Sequence, residues 1–563
     1  MWDNVLTVQT SLHTSPSRAL LSLSAILLLS AGCATTSSRP VVQTESGAVQ
    51  GVLRNGAIEY RGIPFAAQPV RWALPQPPAA WSGVRDATGF GNACPQARRY
   101  DLTEASNAED CLTVNVSTSP DLQAGEKLPV LFWIHGGAYV GGSSNLYRLD
   151  RLATRGRMVV VTANYRVGIF GFMPVKGIDA DFNGDLGLED QRYAMRWVQR
   201  NIAAFGGDPN NVTMGGESAG GGSVCMHLAS PDRVRGLFHK AILQSSGCLQ
   251  TLPTLAGSLD ESDPANPPLW KKIATEVGCD KAFDKVACLR AAPVEEMVSA
   301  GQKLGGGLLM PVVGSGTVPV TVATAVKSGN LVKVPILAGS TRDELRLYVA
   351  YFKLYAPFIT DFSEATLRSA WLPAFYGADS PDPGHPGKTR HESILKEYFP
   401  AGGADGASLG SMLSDYQTVV GINDCLGLWT SDAFLPLFPA IFQSEFADPD
   451  APVLGVGIAK GMDPGFALGA VHSSELNYYF PNLSNTSAID APDLKPASQG
   501  LADQMVGYWA AFMATGSPTA PGLPAWPRYA GGGTGVLVLQ PGAVAPSDSY
   551  ARHRCAFWRG LYP

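Results

Sequence analysis

Hydrophobic positions along this chain fall into short unbroken runs separated by stretches of helical period. Residues 128–134 are apolar throughout, as a strand buried on both faces requires, and residues 158–163 read the same way. Residues 241–244 form another such run. Val212, Thr213 and Met214, residues 334–338 and residues 453–458 supply further apolar, strand-like segments. Between them the period changes. Over 190–205, Trp197, Val198, Ile202 and Phe205 share one face of a predicted helix, and Leu501, Met505, Trp509 and Phe512 recur at helical spacing until Gly516 and Pro518 end the run. Strands alternating with helices predict an α/β fold around a mostly parallel central sheet. Residues 257–410 are rich in Gly and Pro with irregular patterning, which predicts a helical cap and loops over the site.

Composition narrows the classes. Of 563 residues, 45% are hydrophobic and only 16% charged, so the chain can bury a sizeable core. The formal net charge is −6 and no basic run approaches what a phosphate backbone demands, which argues against nucleic-acid binding. No internal repeat and no low-complexity linker divides the sequence, so residues 34–563 are read as one catalytic domain.

Gly216-Glu217-Ser218-Ala219-Gly220 is a G-x-S-x-G run directly after the apolar segment at 212–214. It reads as a nucleophile elbow, a sharp strand-to-helix turn that lifts the serine hydroxyl out of the sheet. In a chain with 62 Gly, a Gly-rich turn with a capping serine is the competing reading of that motif alone. A second element shifts the balance. The strand at 128–134 runs into His135-Gly136-Gly137-Ala138, a small-residue loop whose backbone N–H groups, with that of Ala219, suit a tetrahedral oxyanion.

A nucleophilic serine needs a base and an acid, in the chain order Ser, Asp or Glu, His. Among eight histidines, His472 lies in a loop-like stretch beyond the 453–458 run, and Asp343 with Glu344 follows the strand at 334–338. Both positions therefore sit past a strand end, where open α/β sheets build their sites. Taken singly, a satisfied core histidine and a solvated or capping Asp-Glu pair are the commoner explanations of these residues.

With these residues in place, the sequence resembles the type-B carboxylesterases, the cholinesterase-like branch of the α/β-hydrolases, through nearly all of the chain after its first 33 residues. Tyr60-Arg61-Gly62-Ile63-Pro64-Phe65-Ala66 and Glu109-Asp110-Cys111-Leu112-Thr113-Val114-Asn115-Val116 look like two of the family's N-terminal signatures. Asn164-Tyr165-Arg166-Val167-Gly168, Asp190-Gln191 and Phe205-Gly206-Gly207-Asp208-Pro209 lead to the elbow at the family's spacing. The resemblance implies Ser218 as nucleophile, His472 as base, Glu344 as acid, the N–H groups of Gly137, Ala138 and Ala219 as oxyanion hole, and disulfides Cys94–Cys111, Cys279–Cys288 and Cys425–Cys555. Asp343 is then expected to cap the next turn or form a surface pair. No metal or organic cofactor is implied, and the expected partner is a small-molecule ester. Two departures stand out: Ala138 occupies a position commonly Gly, and 311–316 lacks the family's Asp.

Nine cysteines fit an oxidising compartment. Cys225 and Cys248 are left over, and Cys225, two turns beyond the elbow, is expected to be a small buried thiol. Residues 1–33 read as an export signal ending at Ser30-Ala31-Gly32-Cys33, which resembles a bacterial lipoprotein signal. Lipidation of Cys33 and cleavage without it both stay open, as does a later start codon. The expected location is periplasmic or secreted, with membrane attachment only through Cys33. Two rival functions share the fold: a non-catalytic adhesion module, and an amidase or long-chain lipase. The choline-binding tryptophan of the branch is missing from the loop between Cys94 and Cys111, where Tyr100 is the only aromatic residue and Arg98 and Arg99 add positive charge.

Overall fold

The computed structural model describes residues 40–98, 105–123, 125–304, 309–355, 361–419, 421–453, 462–481, 483 and 493–563. The predicted leader, Arg99, Tyr100 and all but Val453 of the 453–458 run lie outside them.

The apolar runs become a parallel core. Strands β7 (Leu128–Ile134), β8 (Val159–Ala163), β9 (Gly207–Glu217), β10 (Lys240–Gln244), β11 (Ile336–Thr341), β12 (Ile441–Phe446) and β13 (Val536–Leu539) lie in the spatial order β8-β7-β9-β10-β11-β12-β13, all parallel. β14 (Ala545–Ser547) closes one edge antiparallel. On the other edge β6 (Thr113–Thr118), β4 (Ala57–Pro64) and β3 (Val52–Arg54) continue antiparallel, for eleven strands among the described residues. A separate sheet joins β1 (Val41–Thr44), β2 (Gly47–Gln50) and β5 (Val84–Asp86). The α/β-hydrolase fold expected from the sequence is thus present, with helices covering both faces of a mostly parallel sheet.

Register brings the site's strand ends level. Ile134 pairs with Gly216, Glu217 with Gln244, and Gln244 with Gly339, so β7, β9 and β10 release their loops at nearly one height and β11 two residues beyond it. Helix Leu186–Asn201 begins four residues before the predicted 190–205 span and passes into a 3₁₀ turn, Ile202–Phe205, stopped by Gly206 at φ +86°. Helix Pro496–Thr515 ends at Gly516 as expected, and its Trp509 stacks on Tyr479 and packs against Trp133 of β7.

Two expectations need correction, while the 453–458 run lies, but for Val453, outside the described residues; among the described residues the last strand before His472 is β12, twenty-six residues earlier. β11 starts at Ile336 and not at residue 334, since Pro335 has no N–H for a ladder, and it runs on to Thr341. Cys225 is no free thiol. It forms a disulfide with Cys248, beside the three implied pairs Cys94–Cys111, Cys279–Cys288 and Cys425–Cys555. The helix that carries Cys225, Ala219–Leu228, packs along β10, and Cys248 lies four residues beyond that strand. Spacing from Ser218 locates Cys225 along the helix but carries no information about which loop its face meets.

Candidate active site

Ser218 sits between β9 and helix Ala219–Leu228 at φ +58°, ψ −124°, a conformation an L-residue holds only under constraint. The flanking glycines supply that constraint through close approach. A Cβ on Gly216 would lie 2.5 Å from the Gly220 backbone, and one on Gly220 would lie 2.1 Å from the Ile134 carbonyl. The Ser218 N–H donates to the Gln244 carbonyl at 3.0 Å, which fastens the elbow to β10.

The loop after β7 is strained in the same manner. Gly137, Ala138 and Tyr139 have φ of +114°, +54° and +60°, and a Cβ on Gly136 would lie 3.1 Å from that of Ser218. The N–H groups of Gly137 and Ala138 donate to no backbone carbonyl among the described residues. Ala219 opens its helix, where the first N–H groups have no intrahelical acceptor. Free donors therefore gather beside the serine.

The segments of Glu344 and His472 meet through a short ladder. The Asp343 N–H donates to the Ala470 carbonyl at 2.9 Å, the Ala470 N–H to Asp343 Oδ2 at 3.0 Å, and the His472 N–H to the Glu344 carbonyl at 3.2 Å. This fixes which carboxylate faces the ring. His472 Nδ1 donates to Glu344 Oε2 at 2.6 Å, while Glu344 Oε1 accepts the Thr341 N–H at 2.8 Å. Asp343 is buried and pairs with Arg346 at 3.0 Å, so it is neither a surface residue nor the ring's partner.

One participant was missed in the sequence. Glu217, the variable residue of the G-x-S-x-G motif, is buried with Oε1 3.1 Å from His472 Nε2, and it accepts the Ser473 hydroxyl at 2.5 Å. No Oγ–imidazole hydrogen bond joins Ser218 to His472 among the described residues. Burial opposes a charge on His472, but the carboxylates of Glu217 and Glu344 outweigh it and hold the pKa up at about 9. Glu475, also buried, has neither carboxyl oxygen hydrogen-bonded within the described residues, and burial together with Glu217 pushes its pKa well up. Nothing in sequence spacing signals that two extra carboxyls converge here. Arg98 is exposed, and no helix of the described residues is long and apolar enough to cross a membrane.

A parallel sheet that delivers a strained serine after β9, a loop of free N–H groups after β7 and a carboxylate after β11 that meets a histidine defines the α/β-hydrolase class. The sequence profile of the Carboxylesterase family matches residues 38–558, and the chain belongs to that family. It is 31% identical over 533 residues to the para-nitrobenzyl esterase of Bacillus subtilis (strain 168), covering 91% of this chain and 97% of that one. It is 30% identical over 575 residues to human cocaine esterase, covering 96% and 94%. Among solved structures, a Geobacillus stearothermophilus carboxylesterase superposes with a TM-score of 0.73 at 32% identity, over 92% of this chain and all of that one. A PNB esterase gives the same TM-score at 28% identity, over 93% and 100%. The protein is accordingly an enzyme that hydrolyses carboxylic esters.

Proposed function

We propose that hydrolysis proceeds through an acyl-enzyme on Ser218, with His472 as general base and acid, Glu344 as its orienting carboxylate, and the N–H groups of Gly137, Ala138 and Ala219 as oxyanion hole. The observation that carries this is the His472 Nδ1–Glu344 Oε2 contact of 2.6 Å, with His472 Nε2 3.1 Å from Glu217, which precedes the strained serine in the chain. Serine is a poor nucleophile at its own pKa, so His472 takes the Oγ proton as Oγ attacks the ester carbonyl. The carbonyl oxygen gains negative charge in the free donors of the loop. His472 then returns the proton to the departing alkoxide, leaving a Ser218 ester. Water, deprotonated by the same ring, attacks that ester and releases the acid with Ser218 restored.

The substrates named for the relatives, a para-nitrobenzyl ester and cocaine, support small-molecule esters as the substrate class. Export of residues 34–563 behind a leader over 1–33 is part of the same reading, supported by four disulfides, with Cys33 as a candidate lipid anchor. A fluorophosphonate tests the mechanism: it should label Ser218 and abolish activity. Label elsewhere, or full turnover by Ser218→Ala, overturns it. A panel of p-nitrophenyl esters of rising acyl length, run beside an anilide, separates esterase from lipase and amidase.

A further inference from the structure

The loop that carries the oxyanion donors is held at its far end by a residue from a distant part of the chain. Gln96 lies inside the Cys94–Cys111 disulfide loop, where its backbone exchanges two 2.9 Å hydrogen bonds with Ser106. Its side chain is buried and acts as a surrogate peptide group. Gln96 Oε1 accepts the Gly142 N–H at 2.8 Å, and Gln96 Nε2 donates to the Gly142 carbonyl at 2.9 Å and to the Cys94 carbonyl at 3.1 Å. Both backbone groups of Gly142 are thereby spent on one side chain.

Gly142 has φ +116°, and a Cβ there would lie 2.4 Å from both the Gly136 carbonyl oxygen and His135 Nδ1, so it rests directly on the start of the same loop. Within that loop the Gly137 carbonyl accepts N–H groups from Val140 and Gly141, each at 3.1 Å. The near end is anchored by the Tyr165 hydroxyl, which donates to the His135 carbonyl at 2.7 Å, and the middle by the Gly168 N–H on the Tyr139 carbonyl at 2.7 Å. Ala138 and Tyr139 occupy a left-handed conformation that persists only where surroundings over-determine it. At the far end Gln96 is the side chain doing so.

We propose that Gln96 is a positioning residue for turnover: by gripping Gly142 it holds the N–H groups of Gly137 and Ala138 at the distance a developing oxyanion requires, and so couples the first disulfide loop to the chemical step. This rests on the oxyanion reading of those N–H groups given under Proposed function. A donor is effective only near 2.7–3.1 Å from the oxyanion, and small displacements of such groups are costly to rate while leaving substrate binding almost untouched.

The test uses the full-length enzyme with Gln96→Met, which keeps length and removes both polar atoms, and Gln96→Glu, which keeps the acceptor for Gly142 N–H. Thermal melting identifies folded protein. The readouts are kcat and KM on p-nitrophenyl acetate, and the Ki of an aryl trifluoromethyl ketone, whose adduct oxygen occupies the oxyanion position. Gln96→Met should lower kcat roughly 10- to 100-fold with KM within about twofold, and the ketone Ki should rise in step. Gln96→Glu should recover part of both, and it carries the comparison alone if Gln96→Met does not fold. Unchanged kcat in a folded variant, a KM effect without a kcat effect, or a kcat loss without weaker ketone binding overturns the inference while fluorophosphonate labelling of Ser218 in the parent enzyme still stands. Failure of that labelling overturns the mechanism as well.

Discussion

His472 Nε2 lies 3.1 Å from Glu217 Oε1, so the nitrogen that should take the Ser218 proton faces a carboxylate in the resting enzyme. With Glu344 on Nδ1, both ring nitrogens meet negative charge, and the imidazolium persists to about pH 9. General-base attack needs the neutral ring. The kcat/KM profile should therefore rise with pH along a limb centred near 9. Glu217→Gln removes one charge, disfavours the imidazolium and should move that limb to lower pH. A limb that stays in place would show that Glu217 does not hold the proton.

The same proton contributes to stability. Folding raises the pKa of His472 from its ordinary 6.5 to about 9, so its stabilising effect is complete below about pH 6.5 and is lost as pH climbs through about 9. Melting temperature measured from pH 6 to 10 should fall across that window. In His472→Gln the fall should be smaller, and an equal fall would assign it to other groups.

Asp343 and Glu344 are neighbours with opposite fates. Glu344→Gln leaves the ring hydrogen-bonded with the wrong tautomer preferred, and kcat should drop by roughly 10³- to 10⁴-fold. Asp343→Asn keeps an acceptor for the Ala470 N–H and loses the pair with Arg346, so the melting temperature should move more than kcat. The reverse ranking would mean that the acid has been misassigned.

Much of this arrangement was legible before any coordinates. Apolar runs at 128–134 and 241–244 became β7 and β10 almost residue for residue, because a strand buried on both faces tolerates little else. The proposed trio Ser218, Glu344 and His472 follows from motif order and resemblance. What was not legible depends on which loops meet across the sheet ends. Glu217 reads as the free position of a motif, and only the fold turns its carboxylate toward His472. Gln96 and Gly142 are forty-six residues apart with no shared pattern. Cys225 and Cys248 pair for the same kind of reason, through packing of the elbow helix on β10.

That fourth pair changes a countable quantity. All eight cysteines beyond Cys33 are bonded, so denatured, unreduced protein should show no more than one free thiol, and none if Cys33 is lipidated or removed. Two or more thiols would break the pairing. Cys425–Cys555 closes the longest loop, a separation of 130 residues, and in the loop-entropy picture its loss costs about 4 to 5 kcal/mol. The Cys425→Ala/Cys555→Ala double variant should therefore melt lowest among the four paired deletions.

Gly220→Ala probes the elbow without touching the proton chemistry. Gly220 has ordinary helical φ, so an alanine meets no backbone penalty there, yet its Cβ would lie 2.1 Å from the Ile134 carbonyl oxygen and 3.0 Å from that of His135. Those two carbonyls belong to the last residue of β7 and to the first of the loop that carries the proposed oxyanion donors. The methyl group can be accommodated only by separating the elbow helix from β7, at about 1 to 3 kcal/mol for overpacking of this kind. Because the shift parts Ser218 from Gly137 and Ala138, kcat should fall by a larger factor than KM rises. Urea unfolding and steady-state kinetics on one preparation decide it: a destabilised variant that retains parent kcat would show that the spacing between β7 and the elbow is structural and has no part in turnover.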